Sequence, residues 1–94
     1  MKRNQTPTID FTNHFNTQRK KAPLEIKIAF RDALEVFIED PDNKFLRNHS
    51  LDKIGKRFFG VRSINITDDW RALYRKGPER IIFVELGTHE ELYS

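Results

Sequence analysis

The apolar residues of this chain keep one rhythm in its first half and another in its second. After Pro23, residues Ile26, Ala29, Phe30, Ala33, Leu34 and Phe37 recur at three- and four-residue steps, the spacing that aligns one face of a helix. Proline suits the first helical position, and Asp40-Pro41-Asp42-Asn43 stops the run because proline cannot continue a helix. Thr12 offers an N-cap for a shorter, polar helix through Lys20, which completes a helical hairpin. Beyond Leu51 the period becomes two. Arg62, Ile64 and Ile66 point one way and Val61, Ser63 and Asn65 the other, as in a half-buried strand. Thr67-Asp68-Asp69 turns the chain into a second alternating run, Trp70 to Arg75, and Lys76-Gly77-Pro78-Glu79 turns it again. Ile81 to Leu86 is apolar at consecutive positions, which predicts a central strand covered on both faces. A short strand is expected near Thr8 to Phe11, after a loose tail over residues 1–7.

A chain of 94 residues holds one core, so a single domain over 1–94 is expected, with any active site an open groove. With 37% apolar and 33% charged residues and no cysteine, neither a disulfide scaffold nor a thiolate site is available. The apolar runs are far short of the roughly 18 to 20 residues that span a bilayer. Met1-Lys2-Arg3-Asn4-Gln5 leads into polar sequence, unlike a secretory signal, so a cytoplasmic protein with no membrane partner is expected.

Charge is concentrated in the middle. Residues 44–80 hold ten Lys and Arg against four Asp and Glu, a net +6, while residues 1–43 balance at seven of each and residues 81–94 carry −3. Cations interleaved with Phe58, Phe59, Trp70 and Tyr74 suit a polyanion with stackable bases, although a merely solvated basic surface reads the same way.

Specific residues sharpen this. His49 and His89 fall at the ends of predicted elements, where an imidazole can donate or accept a proton, as strand cleavage by an internal 2′-hydroxyl requires on both sides of the phosphorus. Asp69-Trp70 follows a turn, where the carboxylate can orient an imidazole and the indole can stack, or where both serve only as turn residue and core aromatic. Arg71 and Arg75 share a strand face, with Arg62 on the neighbouring strand. Their guanidinium forks suit phosphate, the alternative being cross-strand pairing with Glu79 or Glu85. Tyr93 can stack or hydrogen-bond at a site. The carboxylate-rich pattern of a two-metal nuclease and the glycine-rich phosphate loop are both missing, so a reaction without metal or cofactor is expected.

Four segments in order, Phe37-Ile38-Glu39-Asp40-Pro41, Leu46-Arg47-Asn48-His49-Ser50-Leu51, Ile64 through Arg75, and Gly87-Thr88-His89-Glu90-Glu91-Leu92-Tyr93, resemble the RelE-like toxins. More narrowly the chain is similar to the YafQ-type branch, the toxin half of bacterial type II toxin–antitoxin modules, from about residue 8 to residue 93. The resemblance implies an α+β fold, a helical hairpin on a four-stranded antiparallel sheet in the order β-α-α-β-β-β. It also implies a ribosome-dependent endoribonuclease that cuts messenger RNA in the A site and is paired with a cognate antitoxin. By position, His49, Asp69, His89 and Tyr93 match the catalytic motif, Trp70 the active-site aromatic and Arg71 a phosphate-contacting arginine. Lys53, Lys56, Arg57 and Arg75 would then meet ribosomal RNA. One position departs: Asn65 stands where the branch can have histidine, and asparagine bonds a phosphate oxygen without carrying a proton. A non-catalytic protein on the same fold, inhibiting gyrase as ParE-like relatives do or only binding its antitoxin, is the alternative.

Overall fold

The computed structural model describes residues 7–93, so all of the expected N-terminal tail except Pro7 lies outside the described residues. The chain begins with β1 (Thr8–Phe11), followed by α1 (Asn13–Lys21) and α2 (Leu24–Glu39). Thr12 caps α1, its hydroxyl accepting from the Phe15 amide at 3.0 Å. Pro23 stands just before α2, and Asp40 ends it. Four strands follow: β2 (His49–Ser50), β3 (Val61–Asn65), β4 (Trp70–Lys76) and β5 (Arg80–Thr88), with α3 (His89–Tyr93) last. Single 3-10 turns, Lys44–Leu46 and Lys56–Phe58, flank β2.

The fold class is the expected α+β one, with the sheet larger and mixed. Its order is β1-β5-β4-β3-β2, and β1 runs parallel to β5. The other pairings are antiparallel, as the two turn signals require for β3 with β4 and for β4 with β5. No turn joins β1 to its partner, so nothing forces a hairpin, and the strand adds to the edge of β5 through Thr8 opposite Arg80 to Phe11 opposite Phe83. The fifth strand, β2, is two residues long, too short to show an alternating pattern.

Two clusters hold the layers together. Between α1, α2 and the sheet, Phe83 is fully buried, its ring 5.5 to 5.8 Å from those of Phe11, Phe15, Phe30, Phe37 and Tyr74. The α2 stripe delivers Ile26, Phe30, Ala33 and Phe37 into this cluster. On the opposite face Leu51, Phe58, Val61, Leu73 and Leu92 form a smaller core beneath the loop after β2 and beneath α3. The interior strand β5 is thus covered on both faces, which is why it reads apolar at consecutive positions. Among the described residues no helix is long and apolar enough to cross a membrane.

Candidate active site

The smaller core supports a groove, and its register explains what meets there. Asn65 of β3 lies opposite Arg71 of β4, and Arg71 lies opposite Gly87 of β5. Trp70 is opposite Thr88, so His89 begins α3 directly beyond that row. On the outer side His49 of β2 is opposite Ser63 of β3. An open groove of about 610 Å³ results, lined by Arg47, His49, Asn65, Arg71, His89 and Tyr93, with Leu51, Ile54 and Asp68 completing the wall.

His49 is held by the segment before it. Leu46 is buried, Asn43 Oδ1 accepts from the Phe45 amide at 2.9 Å, and Arg47 takes the left-handed conformation with φ 48°. A non-glycine residue with positive φ pays a strain cost. Here it turns the Arg47 carbonyl onto His49 Nδ1 at 2.7 Å. A carbonyl only accepts, so Nδ1 carries the proton and the Nε2 of neutral His49 keeps its lone pair. Asn48 fixes the same segment from behind, donating from Nδ2 to Tyr74 Oη at 2.7 Å and to the Pro41 carbonyl at 3.0 Å.

His89 is fixed by its helix. Thr88 Oγ1 accepts from the Glu91 amide at 3.1 Å while Glu91 Oε1 accepts from the Thr88 amide at 2.9 Å, a reciprocal capping box. The His89 amide donates to the Asp69 carbonyl at 2.8 Å, and its ring meets Tyr93 edge to face at 4.6 Å. Tyr93 also rests on Phe58, with ring centres 5.5 Å apart. Helix α3 sits so close to β5 that a Cβ on Gly87 would come within 3.1 Å of Glu91 Oε1 and 3.2 Å of Leu92 Cδ2. Gly87→Ala is therefore expected to lift α3, costing about 1 kcal/mol on a urea curve and displacing His89. Unchanged stability together with unchanged His89 resonances would show that the close approach is not needed.

Arg71 has its Nη1 clamped by three carbonyls, those of Thr67 and Asp68 at 3.0 Å and that of Trp70 at 3.1 Å. The clamp fixes the fork without neutralising it, so its positive charge remains available to an anion in the groove.

Other expected residues fall elsewhere. Trp70 neighbours Arg71 on a strand, so it faces the opposite way, packing on the helical core and bordering Gln18, Ala22 and Leu86. The aromatic in the groove is Tyr93. Asp68 rather than Asp69 lines the groove, because neighbouring turn residues project differently; Asp69 contributes its backbone carbonyl to His89. Arg62 lies across from Tyr74 on the helix side and donates from Nε to Asn48 Oδ1 at 2.9 Å. Arg75 shares the Arg71 face, as expected, but four residues along, where it donates to the Phe59 carbonyl at 2.9 Å. It and Arg57, which donates to the Leu92 carbonyl at 2.9 Å, line a separate groove of about 290 Å³. Lys53 and Lys56 are exposed. Glu85 pairs with His14 and Gln18, at 3.2 and 3.0 Å, rather than with a strand arginine. Arg47 and Asp68 were not singled out from sequence, although both adjoin residues that were.

A helical pair on one face of a mixed sheet is a fold that this chain shares with solved toxins of the YafQ and RelE kind. The fold is similar to that of YafQ from E. coli strain BL21(DE3), with a TM-score of 0.71 at 17% identity, covering 94% of this chain and 99% of that one. The E. coli DinJ–YafQ toxin–antitoxin complex matches with a TM-score of 0.69 at 16% identity, covering 95% and 99%. The toxin–antitoxin complex RelBE2 from Mycobacterium tuberculosis matches with a TM-score of 0.68 at 20% identity, covering 89% and 99%. Residues 9–93 match the family described as the ParE toxin of the type II toxin–antitoxin system, parDE, and the chain belongs to that family. No curated protein matches it by sequence.

Proposed function

We propose that this toxin is a ribosome-dependent endoribonuclease that cleaves messenger RNA in the A site. The observation that carries the reading is the convergence of His49, His89 and Arg71 in one open groove, with the His49 tautomer set by the Arg47 carbonyl. His49 Nε2 takes the proton from the messenger's own 2′-hydroxyl, and the oxygen attacks the adjacent phosphorus. The bond from phosphorus to the 5′-oxygen breaks as protonated His89 gives its proton to the leaving oxygen. The products are a 2′,3′-cyclic phosphate and a free 5′-hydroxyl. No metal ion takes part. Arg71 and Asn65 bond the phosphate oxygens, and the clamped guanidinium stabilises charge that develops on the phosphorane. Tyr93 stacks on a base, and the carboxylate in the groove is that of Asp68 rather than the expected Asp69. Exposed Lys53 and Lys56, with Arg57 and Arg75 of the separate groove, meet ribosomal RNA, which makes binding steeply salt-dependent.

E. coli YafQ and the Mycobacterium tuberculosis toxin are found in toxin–antitoxin complexes. This chain has a cognate antitoxin of the same kind, for which the basic groove suits an acidic segment, and both act in the cytoplasm.

The match to the ParE toxin family favours a second reading, a toxin that inhibits gyrase without cleaving RNA. A purified translation system with one defined messenger separates the two, with 5′ ends mapped by primer extension and naked RNA as control. Cuts that appear only with ribosomes support the ribonuclease. Intact messenger with inhibited supercoiling in a gyrase assay supports the second reading.

A further inference from the structure

The groove does not end at Arg47. Beyond Arg47, Asn65 and Asp68 it continues into a second open space of about 550 Å³, bordered by Lys44, Phe45 and Thr67. Phe45 is 78% exposed, more than any other large apolar side chain among the described residues. Its exposure is built in. The Asn43 side chain holds the Phe45 amide, Leu46 is buried as an anchor, and left-handed Arg47 closes the turn, so the backbone cannot rotate Phe45 inward without releasing His49. Lys44 Nζ stands 5.9 Å from the ring centre, and Arg47 lines the floor between Phe45 and the reacting groups.

An aromatic face held out beside two cations, in line with a phosphate-binding groove, has the chemistry of a single-stranded nucleotide subsite. The ring takes a base and the cations take the phosphates on either side. We infer that Phe45, with Lys44 and Arg47, forms a subsite for the unstacked base of an RNA nucleotide flanking the scissile phosphate. The inference rests on the ribonuclease reading for its substrate, and it extends the site past the residues expected to act on RNA.

The test uses the full chain with carbon-13-labelled phenylalanine and a short 2′-O-methyl RNA, which has no hydroxyl to attack its own phosphorus. On titration the Phe45 ring signals are expected to move upfield while those of Phe83 stay. Phe45→Ala and Phe45→Leu should both weaken binding about five- to hundredfold, and Phe45→Trp should retain it. Leucine keeps the apolar bulk without a π face, so equal affinity for wild type and Phe45→Leu overturns stacking. RNA that leaves the Phe45 ring unmoved, or that fails to bind, overturns the subsite, as does a Phe45 ring that responds only to an acidic peptide. Wild-type cleavage on ribosomes is scored beside this. Cleavage with an unmoved Phe45 sinks the subsite alone. An engaged Phe45 without cleavage sinks the ribonuclease reading alone and leaves an RNA-binding surface.

Discussion

Alanine in place of either His49 or His89 is expected to lower ribosome-dependent cleavage by about 10²- to 10⁴-fold, the usual contribution of a positioned acid or base. Both side chains are exposed and outside the two cores, so urea midpoints should stay within about 0.5 kcal/mol of wild type. The two losses should not add in the double variant, because acid and base serve one transition state. Primer extension on one messenger reads all three variants together. Wild-type cleavage by His89→Ala would remove the acid from the mechanism, and wild-type cleavage by His49→Ala would remove the base.

Phe83→Ala is expected to have the largest effect on stability, a loss of about 3 to 5 kcal/mol. The ring is fully buried and touches five other aromatic rings drawn from β1, α1, α2 and β4, so no single neighbour can fill the space. Small domains have about 5 to 15 kcal/mol in all, so this one change brings the chain close to unfolding. It also loosens β5, which carries Gly87, Thr88 and the start of α3, so cleavage should fall with stability. Leucine should recover part of the loss by filling volume. A cost under about 1 kcal/mol for the alanine variant would show that the cluster is not the centre of the fold.

The sequence was most legible where the signal is local. The α2 stripe, the Thr12 cap and the two antiparallel turns concern residues a few positions apart, and each is found where its pattern predicts. The parallel pairing of β1 with β5 was not legible, since it joins residues about 70 positions apart with no turn between them. Helix α3 did leave a signal, the Thr88 and Glu91 capping pair, though His89 reads as a loop residue without it. At the site, the meeting of His49, Arg71, Asn65, His89 and Tyr93 follows the resemblance to RelE-like toxins. The misplaced residues break strand parity. Trp70 cannot share a face with adjacent Arg71, and Arg62, three residues from Asn65, cannot share its face either. Which aspartate of the Asp68-Asp69 pair faces the groove depends on the twist of the turn, which no spacing in the sequence encodes.

The central claim, that the groove makes the messenger's own 2′-hydroxyl cut its backbone, has a direct chemical test. Two messengers are programmed onto ribosomes with the wild-type protein, identical except for one 2′-deoxyribose on the nucleotide before the cut. The all-ribose messenger should be cleaved to a 2′,3′-cyclic phosphate, and the deoxy-substituted one should stay intact at that position. Equal cleavage of both would contradict the attack by the 2′-hydroxyl, and cleavage of neither would contradict the ribonuclease itself.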